Sequence, residues 1–280
     1  MPHSRVHSTM IALDDVVIHV VTAGDPAGTP VVFLHGFTGS AKGWGQHIET
    51  IAAAGMRVIA FDLLGHGASS APTDPLRYGI DHCQSDIIQV LDILGVQSGM
   101  AWLLGYSMGG RIALNALFSG YFRGGILESA SPGIADERER ITRRASDAAL
   151  ADRIEREGVP AFVEYWENIP LFASQKTLPL AVRQRLREQR LHNAASGLAG
   201  SLRGVGTGSQ PALHARLTQL RVPILILVGC LDAKFAAIGK EMQQALPHAA
   251  YTCIEGAGHA VHLEQPDEFD QQVKIFLSNA

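Results

Sequence analysis

The segment from Met100 to Leu117 constrains the fold more than any other part of the chain. An apolar run, Met100 to Leu104, leads into Gly105-Tyr106-Ser107-Met108-Gly109-Gly110, and Arg111 to Leu117 carries helix formers with apolar side chains on more than one face. This pattern predicts a strand, a sharp turn and a buried helix. In that setting G-x-S-x-G is a nucleophile elbow, a strained turn that lifts the serine hydroxyl clear of the sheet edge. The flanking glycines follow, because a Cβ at either would collide with the neighbouring strand and helix. A glycine-rich turn with an idle serine is the bland reading. The strand-to-helix context favours Ser107 as nucleophile or base.

The alternation continues on both sides of the elbow. Thr9–Leu13 and Val16–Thr22 flank Asp14-Asp15 as an opening hairpin, Val31–Leu34 and Arg57–Phe61 are short buried strands, and Trp44–Ala54 and Ile80–Leu94 have helical spacing. Strand character recurs at Gly125–Leu127, Val222–Val228 and Ala250–Ile254, and Pro266–Leu277 closes the chain as an amphipathic helix. Strands alternating with helices predict a mostly parallel sheet covered on both faces, with sites at the carboxyl ends of the strands.

Between Ile134 and about Leu213 the pattern changes to charged, Arg-rich helices broken at Gly158-Val159-Pro160, Pro170 and Pro179, ending in a glycine-rich hinge of Gly204, Gly206 and Gly208. We read residues 134–211 as a helical lid inserted into a core of residues 1–133 and 212–280. From Ile134 to Arg216 there are 13 Lys/Arg and 10 Asp/Glu, a net of +3, which leaves −7 on the remainder. A basic insertion thus sits on an acidic body. The formal net charge of −4 argues against a general nucleic-acid binder. No apolar run is long enough to cross a bilayer, and the start lacks a basic segment followed by an apolar core, so the expectation is a soluble, cytoplasmic protein. Cys83, Cys230 and Cys253, an odd number at wide spacing, read as reduced, buried thiols.

Three strand ends carry chemistry. Ser107 follows one, Asp232 follows Val222–Val228, and His259 follows Ala250–Ile254 in Glu255-Gly256-Ala257-Gly258-His259. An imidazole at His259 would take the serine proton, and Asp232 would fix its tautomer. Glu128 is a rival acid at another strand end, and His262 reads as a neighbouring helix or loop residue. The backbone N–H groups of Phe37, in His35-Gly36-Phe37, and of Met108 are the expected oxyanion hole. His35, Asp62 and His66 read as braces of their loops. Arg111, one turn into the elbow helix, would suit a carboxylate rather than an apolar ester.

The order Ser, Asp, His resembles that of the α/β-hydrolase superfamily, whose fold is a mostly parallel sheet flanked by helices. Within it, Gly105-Tyr106-Ser107-Met108-Gly109-Gly110-Arg111, Ser131-Pro132-Gly133-Ile134 with Arg138, Arg140 and Arg143, Trp166 ahead of Pro170-Leu171-Phe172, Gly206-Thr207-Gly208-Ser209-Gln210-Pro211 and Asp232-Ala233-Lys234-Phe235 look like the 2-succinyl-6-hydroxy-2,4-cyclohexadiene-1-carboxylate synthases of menaquinone biosynthesis. The resemblance runs from His35 to His259. It implies a lyase that eliminates pyruvate without a cofactor or metal, the triad abstracting the proton next to the succinyl ketone and the oxyanion hole holding an enolate. The implied partner is a small molecule bearing three carboxylates, met by Arg111, Arg143, Arg190 and Lys234, with Tyr106 and Trp166 lining the pocket. Cys230 departs from the family, which often has an acidic residue there. The alternative is a serine hydrolase of esters or C–C bonds in small carboxylated compounds; a non-catalytic binding module is the third. The sequence assigns no oligomeric state.

Overall fold

The computed structural model describes residues 6–279. Strands β1 (His7–Ala12) and β2 (Val17–Ala23) form the opening hairpin, followed by β3 (Thr29–Leu34), helix α1 (Gln46–Ala53), β4 (Met56–Phe61), α2 (Ile80–Ile93), β5 (Ala101–Tyr106), α3 (Met108–Leu117) and β6 (Phe122–Glu128). The insertion holds α4 (Glu137–Trp166), a 3₁₀ segment (Pro170–Thr177), α5 (Leu180–Leu191) and α6 (Ala195–Val205). The alternating pattern resumes with β7 (Ile224–Gly229), α7 (Ala233–Ala245), β8 (Ala249–Ile254), the short α8 (Val261–Glu264) and α9 (Pro266–Asn279).

The eight strands form one sheet in the order β1-β2-β4-β3-β5-β6-β7-β8. β1 and β2 are antiparallel, and every pairing from β4 onward is parallel. Period-2 alternation sends Val32 and Leu34 of β3 into one core, with residues of α2, α3 and α7, and Val31 and Phe33 into the other, against α1 and α9. Both faces are therefore covered. Helices α4 and α6 pack on each other through their own small cluster, including Ile154, Phe162, Val163, Leu198 and Leu202. No helix among the described residues is long and apolar enough to cross a membrane.

Two expectations are corrected. The α4 break falls at Gly158, where φ is +83°, but the helix resumes immediately, with Pro160 in its next turn where a missing N–H costs little. The glycines after it are not a loose hinge. Gly204 lies inside α6, a Cβ on Gly206 would stand 2.7 Å from Asp147 Oδ2 of α4, and one on Gly208 2.4 Å from the Arg144 backbone nitrogen of α4. They are small because helices must approach there.

The cysteines are not all the reduced thiols that their number and spacing suggested. Cys230, at the end of β7, and Cys253, on β8, lie on adjacent parallel strands with Cα atoms 5.4 Å apart and are joined in a disulfide. Their separation of 23 residues concealed a lateral neighbourhood created by the strand register. Cys83 is the free thiol, and burial pushes its pKa up to about 12.

Candidate active site

The elbow is built as its glycines require. Ser107 stands between β5 and α3 with φ +51°, a left-handed conformation that costs a non-glycine residue about 1 to 3 kcal/mol. A Cβ on Gly105 would meet the Gly109 carbonyl oxygen at 2.3 Å, and one on Gly109 would meet the Leu34 carbonyl oxygen at 2.2 Å. The helix can thus pack directly over β5 and β3 only without those side chains. The Ser107 N–H donates to the Glu128 carbonyl oxygen at 2.8 Å, tying the turn to β6.

The three strand-end residues meet. His259 Nε2 lies 2.9 Å from Ser107 Oγ, and its Nδ1 lies 2.7 Å from Asp232 Oδ2. His259 is 1% exposed, so its ring is shielded from water, while Ser107 and Asp232 are half-buried. With Nδ1–H donated to Asp232, Nε2 is left as an acceptor for the serine proton. Asp232 also caps α7, accepting from the Phe235 N–H at 3.2 Å, which fixes its carboxylate. Phe235 in turn packs edge-on to the His259 ring, centroids 4.5 Å apart. Glu264 holds the histidine's own backbone, accepting from the N–H groups of Gly258 (2.7 Å) and Ala260 (3.3 Å) on either side of it.

A cavity of about 690 Å³ opens above the serine. Ser107 and His259 line it, together with Phe37 and Met108, whose N–H groups are not donated to another protein group among the described residues. Tyr106, Arg111, Arg143, Trp166 and Lys234 complete the expected set there. Asp232 borders a smaller space behind His259. Arg190 is placed differently. It is buried beside Phe172 and lines two adjoining spaces, one of which it shares with Tyr106.

The cations differ in how they are balanced. Arg143 is paired with Asp147 at 2.8 Å. Arg111 donates to the Val205 carbonyl oxygen at 3.0 Å and to the Gln210 side-chain carbonyl, and Arg190 donates to Gln175 Oε1 at 3.2 Å. Neither Arg111 nor Arg190 has a carboxylate at ion-pair distance among the described residues. Burial, with repulsion from Arg143 next, pushes the Arg111 pKa down to about 10, and burial lowers that of Arg190. Two guanidiniums are thus desolvated without an anion. Burial, and then the charge of Glu128, holds the Tyr106 phenol well above its ordinary pKa, so it stays a hydrogen-bond donor.

The loop braces are as expected. His35 Nδ1 donates to the Gly36 carbonyl at 2.7 Å and its Nε2 accepts from the Leu63 N–H at 3.0 Å. Asp62 accepts from the N–H groups of Ala41 and Ala68 and from His19.

Residues 29–266 match the model of the alpha/beta hydrolase fold family. A Serratia proteamaculans (strain 568) protein named 2-succinyl-6-hydroxy-2,4-cyclohexadiene-1-carboxylate synthase is 32% identical, covering 93% of this chain and 97% of its own length. A Bacillus subtilis (strain 168) protein given the same name provisionally is 42% identical over 95% of this chain and 96% of its own. The solved structure of MenH from S. aureus superposes with a TM-score of 0.86 at 35% identity, covering 99% of this chain and 98% of that one. The chain belongs to the 2-succinyl-6-hydroxy-2,4-cyclohexadiene-1-carboxylate synthase family, within the α/β-hydrolase superfamily.

In this member of the synthase family, several supports of the site leave no mark in the local sequence. Glu264 follows His259 by five residues, and its role as a clamp depends on the tight turn between them. Phe172 packs between Trp166 and His259, with centroids 5.7 and 6.2 Å away, because the 3₁₀ segment folds back over the triad. Glu128, weighed as a rival to Asp232, faces His262 instead of His259. An apolar segment name such as Pro170-Leu171-Phe172 gave no sign of which residue would turn inward.

Proposed function

We propose that this chain eliminates pyruvate from 2-succinyl-5-enolpyruvyl-6-hydroxy-3-cyclohexene-1-carboxylate to give 2-succinyl-6-hydroxy-2,4-cyclohexadiene-1-carboxylate, with Ser107 as the base. His259 Nε2 takes the Ser107 proton, and the serine oxygen removes the proton from the ring carbon next to the succinyl ketone. The ketone oxygen gains negative charge, which the N–H groups of Phe37 and Met108 hold; one such donor is worth roughly 2.7 to 4 kcal/mol in comparable sites. The enolate electrons then return, the ring double bond shifts, and the carbon–oxygen bond to the enolpyruvyl group breaks. The pyruvate enolate that leaves is protonated at its methylene carbon, and in balance the His259 imidazolium gives up its proton, which restores the neutral triad and yields pyruvate.

The observation that carries this reading is the buried, anion-free guanidinium of Arg111 in the cavity of a complete Ser–His–Asp relay, with a second such guanidinium, Arg190, in an adjoining space. Their desolvation is offset by a carboxylate, so the substrate supplies the missing charge. Arg143, close enough to Arg111 to repel it, and Lys234 line the larger cavity and are assigned to the other carboxylates. In this reading residues 134–211 act as the lid over a core of residues 1–133 and 212–280. A triply charged substrate does not cross a bilayer unaided, so the enzyme works in the compartment where that substrate is made, which we take to be the cytoplasm.

Incubation with the enolpyruvyl cyclohexene should release pyruvate one for one with diene. In single turnover, deuterium next to the succinyl ketone should slow the step, and no adduct should form on Ser107. A trapped acyl-serine without an isotope effect would establish the hydrolase instead. Arg111→Lys should raise KM about tenfold or more without loss of fold, since an ammonium keeps the charge but lacks the planar fork. Wild-type kcat/KM in that variant would remove Arg111 from substrate binding.

A further inference from the structure

The triad is not the only carboxylate–imidazole pair at this end of the sheet. Glu128, the last residue of β6, is fully buried, and its carboxylate accepts from the His262 backbone N–H at 3.0 Å and from His262 Nδ1 at 2.8 and 2.9 Å. His262 lies three residues beyond the catalytic histidine, in α8. The backbone carbonyl of the same Glu128 holds the Ser107 N–H at 2.8 Å. One residue on β6 therefore grips the nucleophile's turn with its main chain and the histidine's loop with its side chain.

The far side of His262 is fixed as well. Its carbonyl accepts from His47 Nε2 at 2.8 Å, and His47 Nδ1 is held by Asp270 at 2.7 Å. Its ring packs on Tyr106 with centroids 4.7 Å apart and on Trp44 at 4.8 Å. Tyr106 then stands 5.5 Å from the His259 ring and lines the catalytic cavity. The charged and titratable groups facing this pair are Tyr106 from β5, His47 from α1, Asp270 from α9 and Arg190 from α5 across a shared small space. A buried carboxylate–imidazole contact is a weak source of stability, since well-packed apolar side chains of similar volume commonly do as well. What apolar packing lacks is direction, and direction is what a 2.9 Å contact between Ser107 and His259 requires.

We propose that Glu128 is a positioning residue which, through His262, fixes the His259 loop and the Tyr106 ring relative to Ser107. Glu128 touches no reacting atom in this scheme. The proposal rests on the triad and is independent of whether the reaction is elimination or hydrolysis.

The test compares wild type, Glu128→Gln, His262→Ala, His262→Gln and the double Glu128→Gln/His262→Ala. Thermal unfolding, the rate at which an alkyl fluorophosphonate labels Ser107, and kcat and KM on the enolpyruvyl substrate are measured. The downfield proton NMR signal of the N–H shared by His259 and Asp232 is recorded for each. Glu128→Gln and His262→Ala should stay folded at 25 °C, label ten- to a hundredfold more slowly, lose kcat in parallel with KM changed less than threefold, and broaden the downfield signal. His262→Gln, whose amide can still donate to Glu128, should label within fivefold of wild type. The double variant should be no slower than the slower single. Folded Glu128→Gln with labelling, kcat and NMR signal unchanged would overturn the proposal, as would unfolding of every variant, which would make the pair a stability element. Wild type that is labelled but releases no pyruvate fails the lyase reading alone. Wild type that takes no phosphonate removes the triad, and the positioning role with it.

Discussion

Ser107→Ala and His259→Ala should each lower kcat by about 10⁴- to 10⁶-fold, and the double variant should be little worse than the worse single. Removing Oγ leaves the imidazole with no proton to take. Removing the imidazole leaves a neutral hydroxyl that is neither base nor nucleophile at pH 7. Either deletion abolishes the same relay, which runs from Oγ through the 2.9 Å contact to Nε2 and from Nδ1 through 2.7 Å to Asp232. Asp232→Ala should cost less, because Nε2 still faces the serine, though with its tautomer no longer fixed. The residual rate expected in every variant is that supplied by the proposed oxyanion donors and the cations lining the cavity. Single-turnover rates with saturating substrate decide the matter: losses that multiply in the double variant would mean that serine and histidine act independently. Ala at position 107 inherits the strained φ of +51°, so unfolding midpoints near wild type are expected and separate chemistry from stability.

The parts of this site that could be read from sequence are those set by local pattern. The elbow was legible because a strand, a G-x-S-x-G turn and a helix must be contiguous, and Asp232 and His259 were legible because each directly follows a strand. Placement of Arg111 needed only the helical step from Ser107. Arg190 was assigned to the substrate by family resemblance, and the structure sets it behind Phe172 and beside Tyr106, in spaces adjoining the main cavity. Contacts between distant segments left no local trace. The Cys230–Cys253 disulfide depends on the β7–β8 register, and the Glu128–His262 pair joins residues 134 positions apart. Gly206 and Gly208 illustrate the same limit, since flexibility and close packing both select glycine and only the facing backbone distinguishes them.

Acid should destabilise this fold well before its carboxylates are protonated, with His66 as a main cause. His66 is 1% exposed, its Nδ1 donates to the Leu64 carbonyl oxygen at 3.1 Å, and its Nε2 is buried without a partner among the described residues. Burial, and then repulsion from His35, pushes its pKa from 6.5 down to about 3. The folded state therefore refuses a proton that the unfolded chain accepts. Stability from this group is complete above the unfolded pKa, and it falls as pH drops from 6.5 toward 3 by up to about 1.4 kcal/mol per unit, roughly 3 kcal/mol by pH 4.5. His35, lowered mainly by burial, adds a loss of the same sign. His47 works the other way: burial is outweighed by Asp270, its pKa is raised, and its contribution is present at acid pH and lost as pH rises through the folded value. Both remain in His66→Phe, so the difference from wild type reports His66 together with its repulsion of His35. That variant keeps a ring beside His35 and Phe37 but loses the bond to Leu64, a pH-independent cost of about 1 kcal/mol. Urea unfolding at pH 7, 6, 5.5, 5 and 4.5 should show wild type losing stability more steeply, so that the variant, less stable at pH 7, is the more stable by pH 4.5. Parallel curves over that range would mean that His66 takes up its proton in the folded state and has no part in the acid response.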